Sequence, residues 1–153
     1  GLDAALRRRF VFEEMPPRPE MLGTVSGIDL RRLLTVMNAR IEALLGRDHL
    51  LGHAYFIGIQ SLDELKGVFR RQIVPLLQEY FFEDWERIAL VMNDPRKAKA
   101  HQFLSRQALD EYELFGTAGV GAGSRWQINP VAFEVPESYL GIYSLTESEK
   151  WTG

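Results

Sequence analysis

No cysteine occurs in the chain, so disulfides and thiolate metal sites are excluded. A thiol-free composition also suits a reducing compartment, and a cytoplasmic location is the expectation. Long apolar runs are missing as well. No stretch approaches the roughly 20 residues needed to span a bilayer, and the charged N-terminus has no signal-peptide core, so no membrane role is expected. Excess charge is small: 18 Lys and Arg stand against 21 Asp and Glu, a net charge of -3. Nucleic-acid binding is therefore not written into the bulk composition, and any basic function must be local. Ready-made chemistry is scarce too. The chain has three histidines and no Ser/His/Asp spacing. His49 and His53 are four apart, but a zinc protease needs H-E-x-x-H. Leu50 follows His49 and Gly52 opposes a helix, so no metal site is expected. The acidic pairs Asp63/Glu64 and Glu83/Asp84 stand at helix starts, where they offset unsatisfied amides.

What is present is mostly helical pattern. At 153 residues and 46% hydrophobic content, the chain has the bulk of one globular domain or a subdomain with an appendage. Leu2, Ala5 and Leu6 have helical spacing, and Arg7, Arg8 and Arg9 fall in that helix's last turn, where cations meet the dipole. Phe10 to Phe12 reads as a short strand. Met15 to Pro19 holds three prolines and reads as an extended connector. Gly1 in place of methionine, with the chain opening inside a helix, leads to the expectation of a piece from a longer protein.

Ser26-Gly27-Ile28-Asp29 matches a capping box, and an amphipathic helix is predicted over Asp29 to Leu45, stopped by Gly46. A connector runs from Arg47 to Ile59. A second helix starts at Ser61, with Pro75 set to kink it or open another helix through Phe82. Tyr80, Phe81 and Phe82 are expected to be buried. Trp85 to Met92 gives one more helix. Tyr112 to Phe115 and Arg125 to Ile128 read as short strands, separated by a Gly-rich loop. That loop is no phosphate loop, because Ala122 stands where G-x-x-x-x-G-K-[ST] needs lysine. Pro136 to Leu140 reads as a helical turn with proline at its start.

Four stretches carry a family resemblance. Asp3-Ala4-Ala5-Leu6-Arg7-Arg8-Arg9-Phe10 resembles the end of the second region of homology in AAA+ NTPases. Gly52-His53-Ala54-Tyr55-Phe56 is similar to the GHSYF motif of the McrB-type family, the NTPase subunit of modified-cytosine restriction systems. Residues Pro75 to Asp84 resemble that family's P-L-L-x-E-Y-F-x-D run, and Ile128-Asn129-Pro130 with Tyr139 to Tyr143 resembles its C-terminal end. Ala54, where serine is common, and the Gly-rich insertion depart from the pattern.

The resemblance implies a mainly α fold: an AAA+ C-terminal helical lid subdomain, preceded by the last strand of the α/β core and followed by a small β element. The implied division is 1–18 for the end of the core, 19–115 for the lid, 116–124 for the loop and 125–153 for a C-terminal extension. It also implies roles. Arg7, Arg8 and Arg9 are the candidate arginine finger, Arg7 and Arg8 foremost, with Arg9 an alternative internal pairing partner. Such a finger stabilises charge on a neighbouring subunit's phosphates. Gly52 and His53 are the candidate nucleotide-binding residues, His53 as a lid sensor or as a structural cap. The parent is expected to use Mg and ATP or GTP, to form a homo-oligomeric ring, and to act with a nuclease subunit, touching DNA through other domains. Lacking the phosphate loop and the Mg-binding carboxylates, the fragment alone is expected to hydrolyse nothing. The alternative is a non-catalytic helical interaction module with Trp85, Trp126 or Trp151 as partner contacts.

Overall fold

A computed structural model describes residues 22–144. Arg7, Arg8 and Arg9, the strand expected at Phe10 to Phe12, the proline connector and Trp151 lie outside the described residues. The described chain is mainly helical, with two small antiparallel sheets.

It opens with a minimal hairpin, β1 (Thr24–Val25) and β2 (Ile28–Asp29). Ser26 and Gly27 both take positive φ, 52° and 80°, the geometry of a tight hairpin turn. Ser26 is thereby spent on the turn, and the expected capping box from Ser26 does not form. Asp29 is the cap instead. Its carboxylate accepts from the amides of Arg31 and Arg32 at 3.0 and 3.2 Å.

Helix α1 (Leu30–Leu45) follows, as its periodicity predicts. Leu30, Leu33, Leu34, Met37 and Ile41 are buried along one face. Each such side chain contributes about 1.5–3 kcal/mol by leaving water. Gly46, at φ 94°, ends the helix by donating to the Glu42 carbonyl. Helix α2 (Leu62–Val68) is capped by Ser61: the Glu64 amide donates to Ser61 Oγ, and that hydroxyl donates to the Glu64 carboxylate. A wide π turn, Phe69–Ile73, carries the helical path into α3 (Val74–Tyr80). Pro75 sits in the first turn of α3, where the amide it lacks is least missed.

Tyr80 and Phe81 are buried, but Phe82 is 91% exposed and stands with Glu83 in left-handed backbone. The expectation of a fully buried aromatic run therefore fails at Phe82. The chain must reverse between α3 and α4 (Trp85–Val91), and two consecutive left-handed residues turn the third ring outward. Asp84 then caps α4 through the Arg87 amide.

Beyond α4 lie β3 (Leu104–Ala108), a one-turn helix α5 (Glu111–Phe115), β4 (Ser124–Ile128) and α6 (Pro136–Tyr143). Tyr112 to Phe115 was read as a strand but is α5. Asp110 caps it through the Glu113 amide at 3.0 Å and Gly116, at φ 72°, ends it, so local capping overrides the aromatic β preference. The strand that pairs with β4 is β3, in a five-residue antiparallel register from Leu104↔Ile128 to Ala108↔Ser124. Helix α6 starts with proline as predicted.

The core continues from the helices into this C-terminal segment. Phe69 stacks on Phe103 at 5.7 Å and meets Tyr139 edge-on at 5.1 Å, while Phe103 also touches Phe133 at 4.6 Å. Tyr139 donates its hydroxyl proton to the Phe133 carbonyl, and burial pushes that phenol upward. At the other end of α6, Tyr143 accepts the Asp29 amide at 2.8 Å and carries the Arg32 guanidinium over its ring. One helix thus closes both the aromatic core and the start of α1.

The turn Asp94–Arg96 holds the pieces together. Asp94 Oδ1 accepts from Lys97 Nζ and from the Phe103 amide, both at 3.0 Å, and Oδ2 accepts from the Leu104 amide at 2.9 Å. Lys97 Nζ lies 3.9 Å from the centre of the Phe103 ring. Both charged groups are buried, and desolvation raises the Asp94 carboxyl and pushes Lys97 down to about 8.

Asp94→Ala strands three buried donors at once and is expected to cost about 3–5 kcal/mol in urea unfolding. Lys97→Met strands none of the backbone amides and is expected to cost clearly less. Equal costs would refute the donor-counting account. The sign of the pH effect follows from Lys97. Between about 8 and its ordinary 10.5 the unfolded chain holds the proton that the folded chain has released. Stability should therefore rise with pH across that window relative to Lys97→Met. A flat difference in urea midpoints there would contradict the buried-lysine assignment.

Candidate functional site

The connector from Arg47 to Ile59 carries the Gly52 and His53 candidates, and it is built onto α1. Asn38 occupies the buried face of that helix. Its amide donates to the Leu51 carbonyl at 2.9 Å, and its carbonyl oxygen accepts the Leu51 amide at 2.7 Å. This side chain copies a strand partner for one residue and satisfies both backbone groups of a buried position. Leu51 itself is fully buried. The connector is thereby fixed immediately before Gly52.

Gly52 is extended, at φ -77°, and stands before a single 3-10 turn, His53–Tyr55. The His53 carbonyl closes the turn by accepting the Phe56 amide at 2.9 Å. Phe56 is buried and leans on Phe69 at 6.1 Å, so the turn is anchored in the aromatic core. His53 is only 4% exposed. It lies inside the turn, whose N-terminal cap position is Gly52. His49 belongs to the separate 3-10 turn Arg47–His49, where its ring meets Tyr80 edge-on at 5.0 Å. The structure thus places Gly52 and His53 side by side on a braced turn. Among the described residues, no group of three or more His, Asp or Glu is placed to hold a metal ion.

A second feature lies at the α3–α4 reversal. Pro75, Gln78, Glu79, Phe82 and Glu83 line a hollow of about 500 Å³. A neighbouring hollow of about 400 Å³ is lined by Gln78, Trp85, Trp126, Gln127 and Ile128. Trp85 and Trp126 are half-buried and packed against the core.

Sequence reasoning missed the residues that hold this region. Asn38 was hidden among apolar neighbours, although an amide on the apolar stripe of a helix signals a fixed partner. Asp94 and Lys97 were absorbed into a turn. Their spacing carries no sign that Phe103 and Leu104 would supply amides from nine and ten residues further on. Arg40, on α1, was also passed over. Its guanidinium donates to the Val91 carbonyl at 3.0 Å, tying α1 to the end of α4, and burial lowers it to about 10.

Residues 29–89 match a family model described as McrB, alpha-helical lid domain. No curated protein matches the chain. The match runs from the Asp29 cap of α1 into α4, and it contains the Gly52–His53 turn, the π turn and the α3–α4 reversal. Asp94, the β3–β4 hairpin and α6 lie beyond it. No described helix is long and apolar enough to cross a membrane. The helical body of this chain, from Asp29 to Ala89, is therefore similar to an alpha-helical lid domain of the McrB type.

Proposed function

We propose that the chain is the lid-bearing part of an AAA+ NTPase of a restriction system, hydrolysing ATP or GTP with Mg in a homo-oligomeric ring that works with a nuclease subunit. The single observation that carries this reading is the lid match over residues 29–89. The arginine run Arg7-Arg8-Arg9 ahead of that lid supports it. In phosphoryl transfer the attacking and leaving oxygens gain charge in the transition state, and a guanidinium offered from outside the nucleotide pocket offsets it. Arg7 and Arg8 take that role toward the neighbouring subunit, and Arg9 pairs within its own. His53 takes the role of the lid's sensor, with Gly52 giving the nucleotide room to approach the backbone.

Sensor action asks for a residue whose position reports lid closure. A histidine on a mobile loop would not do this. One held by Asn38–Leu51 on one side and Phe56 on the other moves only with the whole lid. The burial of His53 favours this reading over a freely rotating surface contact.

The tests use the full-length protein. Arg7→Ala and Arg8→Ala should each leave nucleotide binding intact, and at least one should cut hydrolysis by about a hundredfold or more. Mixing either inactive variant with a phosphate-loop variant should restore part of the turnover, because the finger acts between subunits. Unchanged turnover in both single variants would remove the finger assignment. His53→Ala should weaken nucleotide affinity about tenfold, read by fluorescent-nucleotide titration beside a thermal melt. A lowered melting temperature with unaltered affinity would leave His53 a packing residue.

A further inference from the structure

Residues 104–128 leave the helical body as an arm. Only Leu104 of β3 is buried, and α5 buries nothing. A two-stranded hairpin is marginal by itself, and of this one only Leu104 and, in part, Trp126 pack on the core. This one is braced from within. Arg106 donates to Ser124 Oγ at 2.8 Å and lies over the Trp126 ring at 5.8 Å. Farther out, the Glu111 carboxylate accepts the amides of Val120 at 3.1 Å and Ala122 at 3.0 Å. Those amides hold the Glu111 carboxyl below its usual range. Gly119 and Gly121, at φ 77° and 80°, give the loop the curvature that aims its amides at one carboxylate. The Gly-rich loop is therefore folded around the arm's own acid.

The end of this braced arm is apolar. Tyr112, Leu114, Phe115 and Val120 are 68, 58, 56 and 50% exposed. Large side chains grouped at the tip of an ordered projection mark a contact surface, and prior ordering lowers the entropy cost of using it. The charge around them selects the partner. Asp110 and Glu113 are exposed beside the apolar residues, and no Lys or Arg occurs between Gln107 and Ser124. Such a tip repels a phosphate backbone. Neither of the two hollows found among the described residues suits it on a second copy. One hollow of this chain is edged by Glu79 and Glu83, and the other has no cation among its lining residues.

We propose that residues 104–128 are a docking arm whose tip, Tyr112, Leu114, Phe115 and Val120, seats in an apolar groove edged by Lys or Arg on a different protein. Apolar insertion supplies the affinity, while Asp110 and Glu113 set orientation and speed of encounter. The proposal does not rest on the nucleotide reading, since the arm lies outside residues 29–89.

The test places a photo-crosslinking benzoylphenylalanine at Tyr112 of the full-length protein in its own cells. The crosslinked protein is identified, purified and titrated calorimetrically against the full-length protein at low and high salt. The expected result is a partner whose contact site contains Lys or Arg around apolar residues. Leu114→Asp with Phe115→Asp should weaken it at least about tenfold. Asp110→Asn with Glu113→Gln keeps the α5 cap and should flatten the salt dependence. A thermal melt confirms that these surface variants remain folded. A crosslink to a second copy, to nucleic acid or to nothing overturns the proposal, as does a partner whose affinity ignores the tip substitutions.

Discussion

One carboxylate decides how the two parts of this molecule meet. Asp94 accepts three buried donors, two of them backbone amides at the start of the β3 segment. Without an acceptor those amides would be buried and unpaired, which costs about 1–3 kcal/mol each. Desolvation works against the charge on Asp94, and the local geometry answers it with Lys97 and the Phe103 ring. The neighbouring contacts extend the same junction. Gln102 donates to the Asp94 carbonyl, Asn93 donates to the Gly141 carbonyl, and Asn129 donates to the Gln102 carbonyl. A single turn after α4 therefore binds the strand pair on one side and α6 on the other.

The consequence reaches the matched helical segment itself. Phe69 belongs to the π turn in the middle of the matched lid, yet two of its ring partners, Phe103 and Tyr139, come from beyond the match. Its third, Phe56, closes the Gly52–His53 turn. The position of that turn thus depends on a ring stack completed by the C-terminal segment. The Lys97 stem lies 3.0 Å from the place where a Cβ on Gly141 would stand, so a side chain there would push that stem back by a few tenths of an ångström. Packing of this density passes small shifts on instead of absorbing them.

Much of the helical body was legible in the residues. The apolar period of α1, the Gly46 stop, the helix start at Ser61 and the proline start of α6 each rest on contacts within four residues, which a sequence displays directly. The failures share the opposite property. Ser26 fits a cap and a hairpin turn equally well, and the choice falls to the turn because Gly27 follows it. Tyr112 to Phe115 has strand-like residues, but the local cap at Asp110 decides for helix. Strand β3 was invisible because four of its five residues face water and show no alternation. For the candidate site, Gly52 and His53 could be named from a motif, whereas Asn38, which fixes the turn before them, becomes meaningful only once Leu51 lies across it.

The two ends of functional interest are constructed in contrary ways. The Gly52–His53 turn is recessed, and its order comes from long-range packing. The arm from Leu104 to Ile128 is exposed, and its order comes from bonds within itself. A residue of the first kind is held by the packing around it. An element of the second kind can engage a partner with little disturbance of the core, since its braces do not pass through the aromatic stack. The two meet at one place. Phe103 and Leu104, where the arm leaves the body, are the residues whose amides Asp94 holds. The carboxylate that holds the root of the arm thus lies beside the ring stack that anchors the Gly52–His53 turn.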